Sequence, residues 1–235
     1  MSTLSITWLG HATFVLKSPG GKRIILDPWV TGNPSAPASA SAKSIGALDL
    51  MLITHGHHDH THDAVAIGRS SGAHVVAPYE VSVWLHKKGL QHVTGMNPGG
   101  TLQMLGLTIT MVPAMHSSSI EEDDRIIYLG VATGYVVKFE DGLTIYYAGD
   151  TSIFGDMRLI AEMYHPAIAF LPIGDLYTMG PEQAAKACEL LGVKQVVPMH
   201  YGTFPVLTGT PAKLRELVEP RGVQVLELKP GETAS

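Results

Sequence analysis

The stretch that most limits what this chain can become is Asp49–Thr54, DLMLIT, running directly into His55-Gly56-His57-His58-Asp59-His60. A short continuous apolar run bounded by polar residues is the pattern of a buried strand. Residues just past the C-terminal end of such a strand project into a crevice rather than into the core. His55 and His57 alternate there and can share a metal, and a turn after them can direct Asp59 and His60 at a second ion. Gly56 leaves room for backbone to pass close. Neutral imidazole and carboxylate suit Zn²⁺, Mn²⁺ or Fe²⁺. A histidine-rich loop with no role is the competing reading, but the residues follow a strand and are not a terminal tag. His58 and His62 are weaker candidates, read as supporting or exposed.

Composition narrows the classes around this motif. Twelve histidines stand beside only 16 Lys and Arg among 235 residues, and charged residues make up 16%. Histidine is the commonest metal ligand. The formal net charge of −5 argues against a nucleic-acid binder, which needs a basic footprint. No apolar run approaches the roughly 18–20 residues of a membrane span, so no membrane partner is expected. Met1 to Gly10 lacks the basic start and apolar stretch of a signal peptide. The single Cys188 cannot form an internal disulfide, and a cytoplasmic protein is expected.

The element pattern reads as one domain over 1–235, built of two halves with similar element order. Strands are expected at Ile6–Leu9, Thr13–Lys17, Arg23–Leu26, Asp49–Thr54 and His74–Ala77, with helices at Ala64–Ser71 and Tyr79–Lys88. The Pro/Ala/Ser-rich stretch from Pro28 to Ala47 has no periodicity and reads as a mobile surface loop, the kind of long loop that often serves as an active-site flap. Strands Thr101–Leu105 and Leu107–Val112 follow, and a polar loop leads to Gly134–Glu140 and Leu143–Ala148, which flank the hairpin dipeptide Asp141-Gly142. A helix from about Phe154 to Tyr164, a strand at Ala167–Leu171, a helix opened by Pro181 and ended by Gly192, and a strand at Val196–Pro198 continue the pattern. Thr210 and Pro211 start the last helix, and a strand at Val223–Leu228 closes the chain.

The motif His55-x-His57-x-Asp59-His60 resembles the signature of the metallo-β-lactamase superfamily. Three further candidates each follow a strand in the order that family shows: His116 in PAMHSS, Asp150 in YYAGDTS and His200 in VPMHYGTF. The resemblance covers the chain from Ile6 to about Leu228. It implies an α/β fold, a four-layer αββα metallo-β-lactamase sandwich, with a dinuclear site at one edge. His55, His57 and His116 would hold the first metal, Asp59, His60 and His200 the second, and Asp150 would bridge them. Zinc is the default, with Mn²⁺, Fe²⁺ or Ni²⁺ open to an all-N/O set.

A finer resemblance lies in Trp8-Leu9-Gly10-His11-Ala12, Leu26-Asp27-Pro28 and Gly32-Asn33-Pro34. These look like a group of metal-dependent hydrolases similar to the L-ascorbate-6-phosphate lactonases. His11 ends the first strand, so it could reach the site edge as a proton donor or substrate contact, with a turn histidine as its rival reading, and Asn33 is a candidate substrate contact. Asp27 reads equally as a structural acceptor. Tyr201 and Thr203 join His11 as candidate substrate contacts or donors to the leaving group. His62 stands where the group has a small residue.

The expected function is hydrolysis of a small lactone, ester or phosphodiester by a metal-bridging hydroxide, with Asp59 and Asp150 orienting the nucleophile. The partner is a small molecule, and an anionic one stays open because two metals supply positive charge. Two alternatives remain: a metal-dependent oxidoreductase on the same fold, against which His57 and the complete second ligand set speak, and a non-catalytic metal-binding protein.

Overall fold

The structure, a computed structural model, describes residues 3–235. The chain opens with β1 (Ser5–Trp8), β2 (Phe14–Lys17), β3 (Arg23–Leu26) and β4 (Leu50–Leu52), then two helices, α1 (His58–Thr61) and α2 (Ala64–Ser71). β5 (His74–Pro78), α3 (Tyr79–Lys87) and β6 (Val93–Met96) complete the first half. The second half runs β7 (Thr101–Met104), β8 (Leu107–Pro113), a hairpin of β9 (Ser119–Glu122) and β10 (Arg125–Tyr128), β11 (Thr133–Lys138), β12 (Thr144–Tyr147) and α4 (Met157–Tyr164). It ends with β13 (Ile168–Pro172), α5 (Pro181–Leu191), β14 (Gln195–Met199), α6 (Pro211–Val218), β15 (Gln224–Val225) and β16 (Thr233–Ala234).

The strands form two seven-stranded mixed sheets, in orders β16-β1-β2-β3-β4-β5-β6 and β15-β14-β13-β12-β11-β8-β7. In each, an antiparallel meander passes into parallel pairing, at β3–β4 in the first and at β12–β13 in the second. This is the repeated order of two halves expected from the sequence. Side-chain alternation shows why the sheets stack. Ile24, Leu26, Leu50, Leu52 and Val76 join the core shared with the second sheet, which contains Tyr135, Tyr146, Tyr147 and Phe170. Their neighbours Ile25, Met51, Ile53, Val75 and Ala77 face the other way, into a cluster with Ile67 of α2 and Val81 and Leu85 of α3. The apolar run of β4 is therefore covered on both faces. α5 and α6 close the opposite side through Ala184, Cys188, Leu191, Leu214 and Val218. The result is the αββα sandwich.

Several boundaries differ from the sequence reading. The polar loop before β11 contains β9–β10, whose outer strand has all four residues exposed. With so little burial, its pattern carries no periodic signal. α4 begins at Met157, not Phe154. The closing strand stops at Val225, and the chain crosses to the first sheet, where β16 pairs antiparallel with β1. Only two residues pair there, too few to read from a sequence. The 28–47 loop has no regular element, yet Trp29, Val30 and Ile45 are buried. Asp63 accepts from Val30 N (2.7 Å) and Thr31 N (2.8 Å) and ties the loop to α2. No helix among the described residues is long and apolar enough to cross a membrane.

Candidate metal centre

The C-terminal end of β4 delivers Thr54 and His55 to one edge of the sandwich. The backbone then has to pass under the segment returning from β10. A Cβ at Gly56 would lie 2.8 Å from Leu129 Cδ1 and 3.3 Å from Ser119 O, so glycine is the residue that fits. His57 caps α1, a single turn that turns Asp59 and His60 inward and leaves His58 and His62 exposed, their rings 4.4 Å apart. His62 thus neither fills the centre nor joins it. His116 follows β8, Asp150 follows β12 and His200 follows β14. Gly149, at φ +62, lets Asp150 approach, because a Cβ there would meet Thr54 Cβ and Thr133 O at 2.8 Å.

Two donor sets result. In the first, His57 Nδ1 lies 3.0 Å from His55 Nε2 and 3.3 Å from His116 Nε2. In the second, His60 Nε2 lies 3.3 Å from Asp150 Oδ1 and 3.9 Å from Asp59 Oδ2. His200 Nε2 lies 3.0 Å from Asp150 Oδ2 and 3.6 Å from Asp59 Oδ2. Asp150 Oδ2 is also 3.6 Å from His116 Nε2, so this carboxylate touches both sets. His60 Nε2, Asp150 Oδ1 and both ring nitrogens of His200 are buried without a hydrogen-bond partner among the described residues. Buried polar atoms are ordinarily satisfied. Convergent, unsatisfied imidazole and carboxylate donors fit divalent cations of the zinc, manganese, iron or nickel kind, and each set places three or more candidate ligand atoms within 4.8 Å of one another.

A braced network stands behind the second set. Asp27 is fully buried. Its Oδ1 accepts from Thr54 N at 2.8 Å, and its Oδ2 accepts from Thr54 Oγ1 at 2.7 Å and His60 Nδ1 at 2.8 Å. Tyr147 OH lies 2.9 Å from the same Oδ2. With Nδ1–H committed to Asp27, the proton that His60 would give up to a metal is the one on Nε2, facing the centre. His55 Nδ1–H donates to Thr54 Oγ1 at 3.0 Å, which leaves the His55 lone pair on Nε2. Asp27 was the less expected member of this group. Its signal was the Leu26-Asp27-Pro28 step, and its φ of +41 marks a position held against local preference.

His11 has a different place from the one expected. It has no exposed surface. Its Nε2–H donates to Asp59 Oδ2 at 2.9 Å, its Nδ1 accepts from Thr203 Oγ1 at 2.8 Å, and its ring lies 3.9 Å from that of His200. Burial, then the neighbouring His200, holds its pKa down to about 4, so the ring is neutral at pH 7. With both nitrogens hydrogen-bonded and no exposed surface, His11 holds Asp59 in position. Ser35 Oγ donates to Thr203 Oγ1 at 3.0 Å and so links the 28–47 loop to this chain of bonds. No pattern in the sequence singles out Ser35.

The remaining expected substrate residues are also engaged elsewhere. Asn33 Nδ2 donates to Trp29 O at 2.9 Å and its Oδ1 accepts from Ser35 N at 2.9 Å, which shapes the loop. Thr203 is buried in the network just described. Tyr201 stacks on Trp8 with ring centroids 5.2 Å apart, and burial raises its phenol. Cys188 is buried in α5, where burial pushes its thiol up to about 12.

The electrostatics separate the two sets. Burial lowers His55, His57 and His116, so all three are neutral. His60 is raised by Asp150, Asp27 and Asp59, which outweigh its own burial. His200 is raised to about 9, chiefly by Asp150, also against burial. Despite their burial, Asp59 and Asp150 are held well below the usual carboxylate range by these imidazoles.

Known proteins resemble this chain along nearly its whole length. The profile of the Beta-lactamase superfamily domain matches residues 22–201. A UPF0173 metal-dependent hydrolase of Koribacter versatilis is 52% identical over 232 residues, covering 99% of this chain and 98% of its own. Another from Solibacter usitatus is 46% identical, covering 97% and 98%. Among solved structures, Igni18, a metallo hydrolase of Ignicoccus hospitalis, superposes with a TM-score of 0.88 at 39% identity over 99% of this chain and 98% of that one.

Proposed function

Since the chain belongs to the beta-lactamase superfamily and to its UPF0173 metal-dependent hydrolases, we propose that it is a dinuclear metal-dependent hydrolase acting on a small lactone, ester or phosphodiester. The observation that carries the two-metal part is the pair of converging donor sets joined by Asp150, with buried donor atoms that have no other partner. His55, His57 and His116 would hold one cation, Asp59, His60 and His200 the other, with Asp150 between. Zinc is the default metal. A lone buried cysteine fits a cytoplasmic setting.

A pair of divalent cations held there would supply water ionised near neutral pH and stabilisation of charge on a substrate oxygen. The chain's own residues prepare that chemistry. Asp150 and Asp59 balance positive charge inside a nearly closed edge. Asp59 is the more accessible carboxylate, its side chain 24% exposed, and it would orient the attacking water. His11 fixes the Asp59 oxygen it bonds, and Asp27 fixes the ring of His60. His11 and Thr203 are spent on this scaffold, so the proton reaching the leaving group would come from solvent, or from the attacking water by way of Asp59, which would accept it first.

The test is metal analysis of the purified chain before and after chelation and reloading, with a panel of lactone, ester and phosphodiester substrates. The reading requires close to two metals per chain and turnover that is lost and regained with them. Full metal loading without turnover of any member would favour a metal-binding protein without hydrolytic activity.

A further inference from the structure

The loops carrying the donors are tied into one continuous edge. Met115 N–H donates to Thr151 Oγ1 at 3.0 Å and Ser152 N–H to Met115 O at 3.1 Å, joining the His116 loop to the Asp150 loop. Met179 N–H donates to Thr151 O at 3.1 Å, and Gly209 N–H to Gly174 O at 3.3 Å, which brings in the loop after β13 and the loop after His200. Large apolar side chains stand exposed along this edge: Met115 at 59%, Leu176 at 63%, Tyr177 at 56% and Val206 at 46%. Apolar exposure on loops that carry the donors of a functional site marks a ligand-contacting surface.

Permanent positive charge is missing from the same segments. Residues 54–63, 113–118, 148–156, 173–180 and 199–209 contain no lysine or arginine. The β9–β10 hairpin, which rises from the His116 loop, sets Glu121, Glu122, Asp123 and Asp124 against Arg125. Lys88 beside it is paired with Glu122 at 2.7 Å. Lys43 of the long loop lies near Ile45, whose carbonyl is held by Arg23 at the start of β3, the end away from Asp27. The nearest arginine along the chain is Arg158, in the first turn of α4. Sites for phosphoesters commonly grip the non-bridging oxygens with arginine or lysine, and among the described residues the donor-bearing segments offer neither.

Resting on the hydrolase reading above, we propose that the centre takes neutral acyl compounds: a carboxylic ester or lactone with an apolar chain lying along Met115, Leu176, Tyr177 and Val206. In the turnover, the oxygen of water joins the acyl carbon and the acyl–oxygen bond breaks. The products are an alcohol, or the hydroxyl of the same molecule for a lactone, and a carboxylate with release of one proton.

The test uses the full chain loaded with zinc and has two readouts. The first is kcat/KM for p-nitrophenyl acetate, butyrate and octanoate and for bis(p-nitrophenyl) phosphate. The octanoate should exceed the acetate at least tenfold, at up to about fourfold per methylene that the edge covers fully, and should exceed the phosphodiester. The second is calorimetric binding of octanohydroxamate against acetohydroxamate, expected to favour the longer chain at least tenfold without any turnover. The double variant Leu176→Ser/Tyr177→Ser should pull both ratios toward one. Met163→Ser, an exposed apolar residue on α4 near Thr144 at the far end of β12, should leave the hydroxamate ratio at its wild-type value. Equal binding of the two hydroxamates overturns the proposal, as does a ratio that falls equally in Met163→Ser. So does a phosphodiester preference that disappears in Arg158→Ala. Chain-length preference in binding with no turnover of any substrate would instead remove the hydrolase reading and leave the apolar surface standing.

Discussion

The two donor sets occupy one edge, yet the protein prepares them differently. His57 and His116 of the first set are half-buried, and among the described residues His57 Nε2 meets only Ser117 Oγ, at 3.3 Å. The second set is enclosed, and two of its members are held from behind: His60 by Asp27, and Asp59 by His11, Thr203 and Ser35 in series. The enclosed set also carries the carboxylates, so without a metal it needs protons to balance them. His60 and His200 supply that charge, as their raised pKa values show. An accessible set of neutral imidazoles needs little support, whereas a buried charged set has to be satisfied from every side.

The residue that joins the sets offers the largest break in this contrast. Asp150→Ala should cost roughly a thousandfold or more in kcat/KM and reduce metal content from about two per chain toward one. Near-normal activity with two metals retained would end the bridging assignment.

Acidity gives the next largest effect, and only for the second set. With a pKa of about 9 in the metal-free fold, His200 is protonated at pH 7 and must lose that proton to bind a metal. Affinity of the second set should therefore climb about tenfold per pH unit and proton released, up to about pH 9. The first set, with lowered imidazoles, should show little such rise above pH 7. Calorimetry in buffers of different ionisation enthalpy counts the protons, and equal proton release from both sets would contradict the assignment. The sign for stability follows from the same shift. The contribution of His200 to the metal-free fold is complete below about pH 6.5 and fades as pH passes about 9.

Removing support without touching a donor sharpens the comparison further. Asp27→Asn should weaken the second cation by about ten- to a hundredfold and leave the first nearly unchanged, read by competitive chelator titration. The smallest effect belongs to Thr203→Val. Leaving His11 Nδ1 unpaired should destabilise the metal-free chain by about 1–3 kcal/mol, measured by urea denaturation, with only a few-fold loss in second-set affinity.

Much of this architecture was legible along the chain. The run of β4, the Asp141-Gly142 turn between β11 and β12, and the starts of α5 and α6 at Pro181 and Pro211 are local signals, set by neighbours in sequence. The seven donor candidates were legible for the same reason, because each follows a strand and belongs to a residue type with coordination chemistry. The β9–β10 hairpin was not, since its outer strand buries nothing, and β16 was not, since its two paired residues depend on β1 more than 220 positions earlier. His11 shows the limit most clearly. Its position after β1 suggested access to the centre, but whether that access meant chemistry or support depended on what reached its two nitrogens.

By itself, then, the sequence determined which strands alternate, where they end, and which imidazoles and carboxylates wait at those ends, because periodicity and turn chemistry act over a few residues. The tertiary structure alone decided how those groups divide their work. Asp27 meets His60, Thr203 meets His11, and Asp150 touches both donor sets only once two sheets close on each other. Hydrogen bonds and burial between residues far apart in the chain have no local signature, and they are what turned twelve histidines into donors, braces and bystanders.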